Sequence, residues 1–186
     1  MSRKEIRLSG FGGQGIVLAG LIVGKAASIF DGKNATFTQA YGPEARGGSC
    51  SAQLVITDEP AAYPYVTNPV VVVAMSQEAY TKYASQMGEE VQLIIDEDLV
   101  VPDKSQENRI LKVPATRIAQ ELGRSAVANI VMIGFLTAVS DVTSVEAMKK
   151  AVLDSVPKGT EELNTNAFNR GYECGKERIK AAGENQ

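Results

Sequence analysis

The sequence predicts an α/β fold: one domain over residues 1–186, with a mostly parallel sheet, flanking helices and a helical C-terminal part. Three observations point there. Two short runs, "PVVVVAM" (Pro69–Met75) and "VQLIID" (Val91–Asp96), are β-branched and nearly free of charge, as strands buried on both faces are. A glycine-rich turn joins a strand-like segment near the N-terminus to a long apolar run. From Ala115 onward the pattern is helical. Strands that first alternate with helices and then give way to them imply a single layered unit.

Taken in order, Glu5–Ser9 is the first strand, and its segment Ile6–Ser9 joins Pro69–Met75 and Val91–Asp96 as the central parallel strands. A helix follows over roughly Gln14–Phe30, where Gly20, Gly24 and Ala27 place small residues at near-helical spacing, as close packing on a sheet requires. Asp31-Gly32-Lys33-Asn34 ends it with a glycine cap, and Ala35–Gln39 is the second strand. "YGPEARGGS", residues 41–49, reads as a loop. Cys50–Thr57 alternates apolar and polar residues, as a strand with one wet face does. After the turn at Asp58-Glu59-Pro60, Ala61–Val66 is a short edge segment limited by Pro64. Gln77–Gln86 is helical and Asn108–Val113 is a further strand. The helices Ala115–Leu122, Ala126–Val139, Val145–Val156 and Glu161–Lys180 complete the chain, with starts at Ser144 and Thr160 and a break at Pro157.

Composition removes several function classes. The 19 basic and 22 acidic residues give a net charge of −3 with no basic block, which speaks against a nucleic-acid partner. The most apolar stretches, Ile16–Val23 and Ala126–Val139, fall short of the ~18 apolar residues a membrane span needs. The start carries charge and then a strand, with no signal-peptide core, and the two cysteines, Cys50 and Cys174, lie far apart. A cytoplasmic, reduced protein is expected. Histidine is absent, as are Cys-x-x-Cys and the G-x-S-x-G nucleophile elbow. No metal site and no catalytic residue can be assigned; chemistry would rest on Glu, Asp, Lys, Arg, Tyr or a bound cofactor.

Two loops carry the functional signal. Gly10, Gly12 and Gly15 in "GFGGQG" satisfy G-x-G-x-x-G, between a strand and a helix. A nicotinamide site also needs an acid at the end of the second strand. Asp31 lies at a suitable distance along the chain, but it precedes that strand, which ends in Gln39-Ala40-Tyr41. Nicotinamide binding is therefore disfavoured. Two readings stay open for Gly12, Gly13, Gln14 and Gly15: an anion cradle at the helix start, or a tight turn without a ligand. In the second loop, Glu44, Arg46, Gly47 and Gly48 form either a solvated turn or a functional edge on which Arg46 pairs with a carboxylate or phosphate.

Together, "GFGGQG", "YGPEARGG" and "SAQLVIT", continued through "VVVVAMSQEAY", "VQLIID" and "ANIVMIGFLTAV", resemble the gamma subunit of 2-oxoacid:ferredoxin (acceptor) oxidoreductases over most of the chain. The resemblance implies a Rossmann-like fold. It implies a role as one component of an enzyme that converts a 2-oxoacid and coenzyme A to acyl-CoA and carbon dioxide, passing electrons to ferredoxin or another acceptor. A lone chain of this kind looks most like the separate-subunit forms, among which 2-oxoglutarate enzymes are prominent. Thiamine diphosphate and iron–sulfur clusters would then be held by alpha, beta and probably delta (ferredoxin-like) partners, and no cofactor by this chain alone. The residues carried over are Gly10, Gly12, Gly13, Gln14, Gly15, Glu44, Arg46, Gly47, Gly48 and Asn129, with coenzyme A handling or subunit contact as their implied roles. Rival readings are a stand-alone nucleotide-binding protein and a scaffold for interactions.

Overall fold

The computed structural model describes residues 3–42, 47–59, 63–84, 88, 90–106 and 109–183. Its centre is a six-stranded sheet built from β1 (Arg3–Phe11), β2 (Asn34–Tyr41), β3 (Ser49–Thr57), β4 (Val71–Ala74), β5 (Gln92–Asp96) and β6 (Ile110–Val113), in the order β2-β3-β1-β4-β5-β6. β1, β4, β5 and β6 are parallel neighbours, with Ile6 opposite Val71, Val72 opposite Leu93 and Ile94 opposite Leu111. β3 is antiparallel to both β1 and β2, so it is the one reversed strand of the six. The expected central strands are central and parallel, and every residue of β4 is buried.

Among the described residues the α-helices are α1 (Ile16–Lys25), α2 (Gln77–Ala84), α3 (Ala115–Glu121), α4 (Ala128–Val139), α5 (Val145–Leu153) and α6 (Glu161–Gly183), with a 3-10 turn, Ser125–Val127, leading into α4. One sheet face, carrying Ile6, Leu8, Ala52, Leu54, Val71, Val73 and Ile94, packs with α1 and α3–α6 into the main core. The opposite face, with Val72, Ala74, Leu93 and Ile95, packs on Ala79 and Tyr80 of α2. A parallel strand needs cover on both faces, and the apolar runs provide for it.

Several local expectations change. The first helix is α-helical only to Lys25 and continues as a π-helical turn, Ala26–Phe30, before Gly32 turns the chain at φ 67°. Gly20 and Gly24 do face the sheet: a Cβ on Gly20 would meet Ala52 at 2.6 Å and Phe37 at 2.7 Å, and one on Gly24 would lie 3.1 Å from Leu54. The polar face of β3 is only part-exposed: Ser51 is buried beside Ser9, while Ser49, Gln53 and Thr57 are half-buried, Gln53 in register with Arg7. β3 pairs with β2 on one side and β1 on the other, which the alternation of its residues does not reveal. Of the predicted edge segment at 61–66, residues 63–66 form no strand and 61–62 lie outside the described residues.

The connection at 63–70 is instead anchored by Glu5, which is 4 % exposed. Its carboxylate accepts from the Asn68 N–H at 2.6 Å, from the Thr67 N–H and from the Arg3 guanidinium at 2.7 Å. On the other side of the molecule, α4 and α6 approach until their backbones touch. A Cβ on Gly134 would collide with the Phe168 carbonyl, one on Gly171 with the Val131 carbonyl, and one on Gly175 with Ala138. Glycine is needed there because backbone cannot move aside as a side chain can.

Two outcomes are expected. Gly171→Ala should lose about 3 kcal/mol, the upper part of the overpacking range, measured by chemical denaturation. For Glu5, desolvation pushes the pKa up, but the Asn68 N–H, Arg3 and the Thr67 N–H outweigh it and the net shift is downward. Its stabilisation is therefore present above the ordinary glutamate range and lost as pH falls through the lowered value. Glu5→Gln should flatten that acid limb of the stability curve, and an unchanged limb would refute the assignment.

Candidate functional site

β1 and β4 are parallel neighbours whose chains depart in opposite directions, β1 into α1 on the main-core face and β4 into α2 on the other. That divergence opens a crevice at the carboxyl ends of the strands, where α/β sheets hold ligands. Gln14 spans it. Its Oε1 accepts from the Phe11 N–H at 2.6 Å, and its Nε2 donates to the Met75 carbonyl, just past β4, at 2.7 Å.

The glycines around Gln14 each answer a constraint. A Cβ on Gly10 would strike the Gln14 side-chain oxygen, and one on Gly15 would strike the Asn129 amide. Gly13 and Gly15 hold φ of 100° and 73°, and nothing lies within 4 Å of where a Gly13 Cβ would stand, so that position opens outward. Gly12 donates its N–H to the Gly48 carbonyl at 2.8 Å, which ties the first loop to the second. Gly47 holds a φ of 69°. Asn129, 2 % exposed in the first turn of α4, donates Nδ2 to the Gly15 carbonyl at 3.2 Å, and its buried Oδ1 has no partner. The structure thus brings together Gly10, Gly12, Gly13, Gln14, Gly15, Gly47, Gly48 and Asn129. Glu44 and Arg46 lie outside the described residues.

Beside the glycine turn lies a cleft of ≈ 420 Å³ walled by Gly13, Gln14, Met75, Thr116, Ser125 and Ala128. α1 and α4 both begin there, and neither has a capping side chain or an acid in its first turn. The start of α1 makes the cleft favourable for negative charge, whereas the 3-10 turn Ser125–Val127 leads into α4 and its Ser125 carbonyl already accepts from the Ala128 N–H. α3 begins there too, but its N–H groups are already taken. Asp96, fully buried at the end of β5, accepts from the Thr116 N–H at 3.1 Å and hydroxyl at 2.6 Å, and Asp98 accepts from the Arg117 N–H at 3.0 Å. Burial raises the Asp96 pKa, and the Thr116 hydroxyl works against that rise.

Sequence reading missed Asp96 and Thr116 as site residues. The signal was an acid closing a buried strand, but its partner lies 20 residues on, with a strand between. Asp31 has a structural task remote from any ribose: its carboxylate accepts from the Ser144 N–H and hydroxyl, both at 2.7 Å, and so fixes the start of α5. The reversed β3 also separates β1 from β2 by two strand spacings, ~9.6 Å, so no acid on β2 flanks the glycine turn as in a dinucleotide site.

With that geometry in hand, the comparisons with known proteins are specific. The family model described as pyruvate ferredoxin/flavodoxin oxidoreductase matches residues 5–174. The 2-oxoglutarate synthase subunit KorC of Methanocaldococcus jannaschii is 54% identical over 178 residues, covering 94% of this chain and 95% of its own. The ketoisovalerate oxidoreductase subunit VorA of Methanothermobacter thermautotrophicus is 30% identical over 95% of this chain but only 37% of its own length. Among solved structures, the keto/oxoacid ferredoxin oxidoreductase gamma subunit from Geobacter sulfurreducens superposes with a TM-score of 0.81 at 39% identity, covering 94% of this chain and 97% of that one.

Asp96→Ala should strip the acceptor from the part-buried N–H groups of Thr116 and Asp98 and from the Thr116 hydroxyl, costing about 1 kcal/mol or more in all. Thermal melting checks it, and loss of α3 amide protection in hydrogen exchange locates the damage.

Proposed function

The chain belongs to the pyruvate ferredoxin/flavodoxin oxidoreductase family, and we propose that it is the gamma subunit of a multi-subunit 2-oxoglutarate:ferredoxin oxidoreductase. The observation that carries the substrate is the near full-length likeness to a 2-oxoglutarate synthase subunit. The assembled enzyme oxidatively decarboxylates the 2-oxoacid with coenzyme A, giving acyl-CoA, carbon dioxide and two electrons for ferredoxin or another acceptor. The whole chain acts as one gamma-type unit beside alpha, beta and delta subunits, in the cytoplasm, where its two unbridged cysteines would stay reduced.

This chain's residues do not fit the redox cofactors of such an enzyme. Two cysteines and no histidine cannot ligate an iron–sulfur cluster, and a Gly-Asp-Gly opening for thiamine diphosphate is missing. Those groups fall to the partners. The glycine turn does fit an anionic co-substrate. Gly13 leaves its surroundings open, the α1 N-terminus has no capping side chain, and Gln14 keeps the strand ends apart at a fixed spacing. We assign Gly10, Gly12, Gly13, Gln14, Gly15, Gly47, Gly48 and Asn129 to the cradle for the phosphates of coenzyme A. Glu44 and Arg46, outside the described residues, are assigned to the same role from the sequence, where the planar fork of an arginine suits phosphate or a partner carboxylate.

The purified chain alone should show no coenzyme A-dependent 2-oxoglutarate oxidation, and adding the alpha, beta and delta subunits should restore it. Turnover by the isolated chain would overturn the subunit reading. In the assembled enzyme, Gly13→Ala is expected to raise the KM for coenzyme A about tenfold, equivalent to ~1.4 kcal/mol, while the 2-oxoglutarate KM stays constant. The positive φ should lower stability by about 1–2 kcal/mol without unfolding the chain. An unchanged coenzyme A KM would remove the cradle.

A further inference from the structure

The walls of the cleft beside the glycine turn come from the chain just past four neighbouring strands. Gly13 and Gln14 follow β1, Met75 follows β4, Leu99 follows β5 and Thr116 follows β6. These strands are parallel and adjacent in that order, so the cleft runs across the carboxyl end of the sheet from β1 to β6. Three strand spacings, roughly 14 Å, separate its two ends. A lone phosphate cannot reach both.

The two ends also differ in hydrogen-bonding sense. At the β1 end, the open glycine turn leads into the start of α1, whose first N–H groups are donors without a capping side chain. Thr116, at the β6 end, has the opposite character. A threonine hydroxyl carries a single hydrogen, and Thr116 gives its own to Asp96 at 2.6 Å. Asp96 is fully buried and also accepts from the Thr116 N–H at 3.1 Å and the Asp98 N–H at 3.2 Å. With the hydroxyl rotor held this way, Thr116 can only accept. Phosphate oxygens are acceptors as well, so this end disfavours them and suits a group that brings its own hydrogen.

We propose that the cleft takes coenzyme A in one direction only, with phosphate at the glycine turn and a neutral N–H or O–H donor against Thr116. Thr116 is then a specificity-determining residue, and Asp96 fixes the sense of its hydroxyl. The inference rests on the cradle reading above and adds to it the polarity of the site. A few placed polar groups commonly set the orientation of a ligand in this manner. Coenzyme A has two arms that satisfy the requirement. The pantetheine arm offers amide N–H groups, and the ribose–adenine arm offers a hydroxyl and an amino group. Their shared chemistry is a neutral donor joined to a phosphate.

The test is calorimetric binding to the full-length chain as wild type, Thr116→Val and Thr116→Ser. Valine keeps the branched shape without the hydroxyl, and serine keeps the hydroxyl. The probes are coenzyme A, its halves phosphopantetheine and adenosine bisphosphate, and inorganic pyrophosphate, which has no such arm. Thr116→Val should bind coenzyme A about tenfold more weakly, and Thr116→Ser within about twofold of wild type. Pyrophosphate should bind all three chains alike. A loss confined to phosphopantetheine would place the pantetheine arm at Thr116, and a loss confined to the bisphosphate would place the nucleoside arm there; either supports the polarity. Equal coenzyme A affinity in wild type and Thr116→Val would overturn it. So would an equal loss of pyrophosphate, which marks a damaged wall rather than a missing acceptor. If the wild-type chain binds none of the probes, the cradle reading itself fails and this inference falls with it.

Discussion

The arrangement depends on one constraint: β1 and β4 lie side by side in parallel, and each must leave its end toward a different face to cover both sides of the sheet. β1 runs into α1 and β4 into α2, and each helix buries its own apolar set on its own face. The two exits cannot stay packed against each other, so a crevice opens between them. Every glycine of the first turn serves that opening or the contacts bordering it. Gln14 bonds both rims.

A second consequence comes from β3. By running back between β1 and β2, it fills the position that a second parallel strand takes in a dinucleotide-binding sheet. The glycine turn therefore has an anion-favouring environment with no acid on a neighbouring strand end. Asp31, which sequence distance alone would nominate, is occupied at Ser144. The same reversal pushes β2 out to the sheet edge, beside a flank of α1 that no other helix covers. One strand insertion thus shapes both the ligand-facing crevice and the exposed edge.

Much of this was legible in the sequence, and the pattern of what was not is physical. "VVVVA" and "LIID" announce buried strands because burial on both faces forces local composition, and glycines at a strand–helix turn announce themselves by spacing. The burial of Ser51 and the half-burial of Gln53 were not legible, because their neighbours Ser9 and Arg7 come from β1, more than 40 positions away. Nor was the α4–α6 contact. Gly134 and Gly171 look like isolated helix-weakening residues until the two backbones are seen to touch. Asp96 carried a visible signal, a terminal acid, but its meaning depended on where α3 starts. Local pattern specifies elements; pairing order and cap partners are set by the whole chain. Glu44 and Arg46 remain readings from sequence and resemblance.

The crevice and the β2 edge also differ in kind. A site for a polyanionic co-substrate needs uncapped N–H groups and open glycine backbone, which bind charge but must release it each turnover. On the proposed reading Gly13 and the start of α1 have this character, while β2, Leu21 and Ile29 are neutral and apolar. They lie at opposite ends of the route from β1 through α1 to β2. On the proposed reading the chain's contribution is positioning: the glycine turn holds one molecule where chemistry owned by another polypeptide can reach it.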